Sequence, residues 1–141
     1  MNERLTMKLV NRFPFYRGYF KTMQETAMCW GFPGDGWYNI IRKLSFQIEK
    51  HLAKLPPLTP QDAMTAQAEP FEVMQVKEKF GGLRYYTNWE DDYITQKIRE
   101  AEGMAYKTCE DCGQPGKLMS PRGWMFVACK ICARKRRKGT I

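Results

Sequence analysis

The sequence predicts an α+β fold: N-terminal helices, a β-hairpin, a further helix and a C-terminal four-cysteine zinc finger, either a zinc ribbon or a treble clef. Three observations predict it. Apolar residues recur at three- and four-residue intervals from Trp37 to Leu55, two strand-like runs flank Gly81-Gly82, and two Cys-x2-Cys pairs are separated by sixteen residues. A chain of 141 residues with 43% hydrophobic and 13% aromatic content can bury one core. The predicted parts are a body over residues 1–108, a finger over 109–133 packed on it, and a basic tail over 134–141.

In the first part, Asn11-Arg12-Phe13-Pro14-Phe15-Tyr16 places a proline and three aromatics between two short helices. Gly31 to Gly36 reads as a turn, with Asp35 positioned to cap the next helix. In that helix Trp37, Ile40, Ile41, Leu44, Ile48, Leu52 and Leu55 form a core-facing stripe, while Arg42, Lys43, Glu49 and Lys50 fall elsewhere around the axis. Residues 56–70, rich in Pro, Thr, Gln and Ala, read as an exposed loop and the segment most prone to disorder.

Phe71 to Thr87 reads as a hairpin turning at Gly81-Gly82, where positive φ is tolerated. With Phe80 facing Leu83, one face carries Met74, Val76, Phe80, Leu83 and Tyr85 and is core. The other carries Gln75, Lys77, Lys79, Arg84 and Tyr86. That register sets Lys79 opposite Arg84, a like-charge pair that destabilises a hairpin unless the side chains splay into water or an acidic partner relieves them. Residues 91–107 form another helix with Ile94, Ile98, Ala101 and Ala105 on one side. Glu90, Asp91 and Asp92 sit at its start, where acidic groups complement the helix dipole.

Cys109, Cys112, Cys129 and Cys132 have the spacing of two zinc knuckles or of a knuckle and a helix, each pair turning two thiolates toward one tetrahedral ion. Gly113 suits a knuckle, and Lys117–Ser120 can pair with Trp124–Ala128 around Pro121-Arg122-Gly123. Two disulfides, which a reducing compartment disfavours, or four buried thiols are the alternatives. Four thiolates leave no open coordination position, so one structural Zn2+ is expected. Cys29, beside Met28 and Trp30, has no partner and reads as a buried apolar residue, and His51 as a surface residue.

The longest apolar run, Trp124 to Cys129, is too short to cross a membrane, and the charges at Glu3 and Arg4 do not suit a signal peptide. A cytoplasmic chain is expected. No histidine lies near the finger, as a His-containing finger nuclease requires. There is no His-x-Glu with Pro-Cys-x-x-Cys, as in zinc deaminases, and no Gly-rich phosphate loop with lysine. The chain reads as a binding protein, not an enzyme, with no small-molecule substrate.

Asp35-Gly36-Trp37-Tyr38, Gln75-Val76-Lys77-Glu78-Lys79-Phe80-Gly81-Gly82-Leu83-Arg84 and Thr108-Cys109-Glu110-Asp111-Cys112-Gly113, in this order, carry a resemblance. Over about residues 35–132 the chain resembles a group of small zinc-binding proteins of bacteria, phages and prophages. The resemblance implies a mobile-element setting and brings no established activity.

More than half of the net charge of +8 comes from Arg134, Lys135, Arg136, Arg137 and Lys138. These five, with Lys77, Lys79, Arg84 and Tyr86 on the hairpin, are the expected contacts to nucleic acid, DNA or RNA. Five duplex phosphate contacts would give a log–log salt slope of about −4.5. Tyr86 and Trp124 read as packing residues, with base stacking as the alternative. The competing reading is a phage-encoded inhibitor or modulator of a host protein, such as a polymerase or a defence complex.

Overall fold

The computed structural model describes residues 1–56, 59, 61 and 69–139. The loop expected over residues 56–70 lies almost wholly outside the described residues. The fold is α+β, with helices α1 (Glu3–Arg12), α2 (Tyr38–Leu52), α3 (Asp92–Ala105) and α4 (Lys130–Arg137). Strands β1 (Val73–Lys79) and β2 (Gly82–Thr87) form one antiparallel hairpin, and β3 (Lys117–Met119) and β4 (Phe126–Ala128) a second.

Helix α1 starts on Asn2, whose side-chain oxygen accepts from the Leu5 N–H at 2.9 Å, and ends just before Pro14. Only one of the two helices expected before residue 34 is an α-helix. Beyond it the chain makes 3-10 turns at Pro14–Phe20 and Ala27–Trp30, because consecutive aromatics must reach different parts of one core. Phe13 packs edge-on against Phe46, Phe15 against Phe71 and Tyr16 against Phe32. Met28 is the fully buried residue of the second turn, while Cys29, expected inside, is only half-buried.

Along α2 the buried residues are Ile41, Leu44, Ser45 and Ile48, following Trp37 at its entrance. The expected stripe is present except at Leu55, which lies beyond the helix and is exposed. Ser45 explains itself through its partners. Its hydroxyl donates to the Ile41 carbonyl at 2.7 Å, so it accepts from the Tyr16 hydroxyl at 2.6 Å, which in turn accepts from the Tyr85 hydroxyl at 2.7 Å. This chain of three hydroxyls joins the N-terminal turns, α2 and β2 through the middle of the core. Burial pushes both tyrosine hydroxyls well above their ordinary pKa, so they stay neutral donors.

The hairpin β1–β2 keeps Val76, Leu83 and Tyr85 on its core face but departs from the expected pairing and from that face at Met74 and Phe80. Lys79 faces Gly82, Glu78 faces Leu83, Lys77 faces Arg84 and Val76 faces Tyr85. The turn is therefore Phe80-Gly81, both at positive φ (52° and 84°), and Phe80 is exposed instead of core. A phenylalanine in this conformation costs about 1 kcal/mol. The glycines are placed for packing: a Cβ on Gly82 would lie 2.3 Å from the Tyr106 hydroxyl, and one on Gly81 2.5 Å from Leu118 Cδ1. A register irregularity between Val73 and Gln75 turns Val73 inward in place of Met74. Lys77, and not Lys79, thus meets Arg84. Lys77 Nζ lies over the Tyr86 ring, Arg84 donates to the Leu83 carbonyl at 3.0 Å, and the neighbouring Tyr106 raises the Arg84 pKa.

Asp35 does not cap α2. It opens the 3-10 turn Asp35–Trp37, and its carboxylate accepts from the backbone N–H of Asn2 at 2.6 Å and from its side-chain amide at 3.0 Å. The cap of α3 is Asp91, accepting from the Ile94 N–H at 2.9 Å. His51, expected at the surface, is half-buried against it. Its Nε2 lies 2.6 Å from Asp91 Oδ2, and its ring stacks on Tyr93.

The finger joins the body backbone to backbone. The Gly36 N–H donates to the Glu110 carbonyl at 2.7 Å, the Gly34 N–H to the Glu110 carboxylate at 3.0 Å, and the Trp37 indole N–H to the Thr108 carbonyl at 2.9 Å. A Cβ on Gly36 would lie 2.0 Å from the Cys109 carbonyl oxygen. Val127 of β4 turns into the main core while Phe126 and Ala128 line a small cluster with Cys109 and Cys132, the alternation expected of a strand.

Gly36→Ala is expected to lower the unfolding free energy by at least about 2 kcal/mol in urea titration. Gly103→Ala on α3, where a Cβ meets nothing within 4 Å, is expected to raise it by about 0.5 kcal/mol. Burial raises the Asp91 carboxyl, but hydrogen bonds from His51 and Ile94 outweigh it and hold the group below its ordinary 3.8. A depressed acid stabilises the fold above its unfolded pKa, and that contribution is lost as pH falls through the folded value. Asp91→Ala should therefore cost about 1 kcal/mol at pH 7. The difference from wild type should shrink below pH about 4, as read from urea midpoints at several pH values.

Candidate metal centre

The first cysteine pair sits in a knuckle. The Cys109 N–H donates to the Gln114 carbonyl at 2.8 Å and the Gly113 N–H to the Cys109 carbonyl at 2.9 Å, folding Glu110-Asp111 into a tight turn. The Gly116 N–H donates to the Lys107 carbonyl at 2.9 Å, closing the knuckle before β3 begins. Lys117 pairs with Ala128 and Met119 with Phe126, the hairpin expected around Pro121–Gly123. The second pair lies at the start of α4: Cys129 is the helix cap and Cys132 lies in the first turn. Knuckle, hairpin and ligand-bearing helix follow the treble-clef order, whereas a ribbon would carry its second pair on another knuckle.

The four sulfurs lie within 4.8 Å of one another, and those of Cys112 and Cys129 are 3.7 Å apart. This separation is far too long for a disulfide. The edge of a zinc–thiolate tetrahedron with bonds of 2.3 Å is about 3.8 Å, so the donor set and its geometry fit one tetrahedral metal ion such as zinc. The Cys132 N–H points at Cys129 Sγ at 3.4 Å. As a thiol Cys129 is pushed down to about 7, chiefly by this amide, and is readily a thiolate at neutral pH. Burial pushes Cys132 the other way, so the charge of a cation is needed to ionise it.

Two acids between the first cysteines complete the centre. Asp111 takes a bidentate ion pair from Arg136, Nε to Oδ2 and Nη2 to Oδ1, both at 2.7 Å. The Arg136 guanidinium also lies 4.8 Å over the Phe126 ring and 3.6 Å from Glu110. Burial pushes the Glu110 carboxyl up in spite of the Gly34 amide and Arg136. Sequence reasoning missed this brace. Its signal is spacing: Arg136 is four residues beyond Cys132, on the same face of α4, and so returns to the knuckle.

The basic segment 134–141 begins as the last turn of α4, which runs to Arg137, and not as a separate tail. Of its five cations, Arg136 is committed to Asp111. Arg134, Arg137 and Lys138 are exposed and have no acidic partner among the described residues; Lys135 is exposed on the same turn. On the other hairpin Lys79 Nζ lies over the Phe80 ring, and Lys77, Arg84 and Tyr86 are engaged with one another's face or with Tyr106. No hydrogen bond or ion pair joins that face to α4 among the described residues. The structure thus brings the four cysteines together and keeps the two basic groups on separate elements.

No family model matches the chain, and no curated protein or solved structure matches it. No helix among the described residues is long and apolar enough to cross a membrane.

Native mass spectrometry should find one zinc per chain. Removing it with a strong chelator, or replacing Cys112 with Ser, should unfold at least residues 109–137, because structural zinc contributes roughly 10–16 kcal/mol in small fingers. Loss of near-ultraviolet circular dichroism reports it.

Proposed function

We propose that this protein is a zinc-stabilised nucleic-acid-binding protein, encoded by a phage or another mobile element, without catalytic activity of its own. The observation that supports binding is the end of α4: a helix held by the metal centre exposes Arg134, Arg137 and Lys138 with no acidic partner among the described residues. Held on a rigid support, these cations meet phosphates at a lower entropic cost than a flexible run would. The mobile-element setting rests on the resemblance alone.

Because Arg136 is held by Asp111, at most four cations of the segment reach phosphates. Those cations contribute no more than about −3.6 to the log–log salt slope for duplex DNA. Replacing Arg134, Arg137 and Lys138 together by Gln, and leaving Arg136 in place to preserve the finger, should flatten the slope by about 2.7. Unchanged affinity and slope in this variant would overturn the reading. A chain that binds no nucleic acid, yet retains a stoichiometric host protein from nuclease-treated lysate, would instead be the modulator of a host protein.

A further inference from the structure

Between the tip of the β3–β4 hairpin and the last turn of α4 lies a cleft of about 750 Å³, lined by Pro121, Arg122, Trp124, Phe126, Arg136 and Arg137. Trp124 is 71% exposed and belongs to neither the main core nor the cluster around the cysteines, so packing does not account for it. A bare indole in water forfeits a large apolar burial. It stands where the chain is held in an unusual shape, with Arg122 and Gly123 both at positive φ (55° and 83°).

The floor and walls of the cleft differ in charge. Phe126 is buried beneath the Arg136 guanidinium, whose charge is already balanced by Asp111, so the floor is flat and close to neutral. Arg122 at the hairpin tip and Arg137 at the helix end are exposed and have no acidic partner among the described residues. An occupant that matches all three features has a planar aromatic face for Trp124 and anionic groups on either side for the two arginines.

Resting on the nucleic-acid reading above, we propose that this cleft takes an unpaired base of single-stranded nucleic acid, stacked on Trp124, with the flanking phosphates on Arg122 and Arg137. A base inside a duplex keeps its faces stacked on its neighbours and cannot offer one to an indole, whereas a single strand can. The cations of α4 supply affinity for any nucleic acid; Trp124 selects the unpaired form.

The test uses the zinc-loaded full chain with an oligothymidine of about 12 nucleotides and a duplex of the same length, both within common site sizes. Wild type should bind the oligothymidine more tightly than the duplex, with quenching of tryptophan fluorescence. Trp124→Ala should weaken oligothymidine binding by roughly 5- to 150-fold, abolish most of the quenching and leave duplex affinity unchanged. Trp124→Phe, which keeps a ring, should retain most of the single-strand affinity. Zinc content and circular dichroism check that each variant is folded. Equal loss for both oligonucleotides, or no loss for either, overturns the stacking proposal while leaving nucleic-acid binding intact. Absence of wild-type binding to both removes the wider reading and this one with it. Trp124-dependent binding of an oligoglutamate peptide without oligothymidine binding would make the occupant an acidic protein segment and overturn the proposal.

Discussion

The contact between Gly36 and the knuckle of Cys109 and Cys112 is made by two stretches of backbone with no side chain between them. Its hydrogen bond of 2.7 Å to the Glu110 carbonyl is flanked by those of Gly34 and Trp37, so the entrance to α2 and the first cysteine pair form one unit. Buried amides and carbonyls are costly unless paired, and here each element satisfies the other. The finger is too small to bury a core of its own, and the body completes it by accepting Val127 into the main cluster. Gly81 and Gly82 make further close approaches, to Leu118 of the finger and to Tyr106.

Charge around the metal centre follows from the same arrangement. A divalent ion held by four thiolates would carry a net negative charge, which the N-terminus of α4 and the Cys132 amide would complement, while the Arg136 guanidinium pairs with Asp111 beside them. Arg136 is thus a structural residue within a run of cations that otherwise face outward. The distinction separates the arginine that braces the finger from Arg134, Arg137 and Lys138, which are exposed and have no acidic partner among the described residues.

Four thiolates would fill the coordination shell of a zinc ion, and the cysteine cluster also supports the surfaces around it. Those surfaces are of two kinds. On the β1–β2 hairpin, Lys77 lies over Tyr86 and Arg84 lies beside Tyr106. On the finger's outer side Trp124, Arg122 and Arg137 are exposed, and the two arginines have no acidic partner among the described residues.

The sequence alone determined what depends on neighbours along the chain. The apolar spacing of α2 and α3, the alternation of Val76, Leu83 and Tyr85, and the cysteine spacing each describe a local geometry that any context must respect. Tertiary structure decided what depends on distant atoms. The turn fell on Phe80-Gly81 because Tyr106 and Leu118 required the glycines for packing, which outweighs the roughly 1 kcal/mol cost of a strained phenylalanine. Asp35 went to Asn2, His51 to Asp91 and Arg136 to Asp111 for the same reason: a polar side chain takes whichever partner the fold brings within 3 Å, and those partners lie 25 to 40 residues away. Local preference selects the elements, and packing together with the pairing of polar groups distant in sequence selects how they meet.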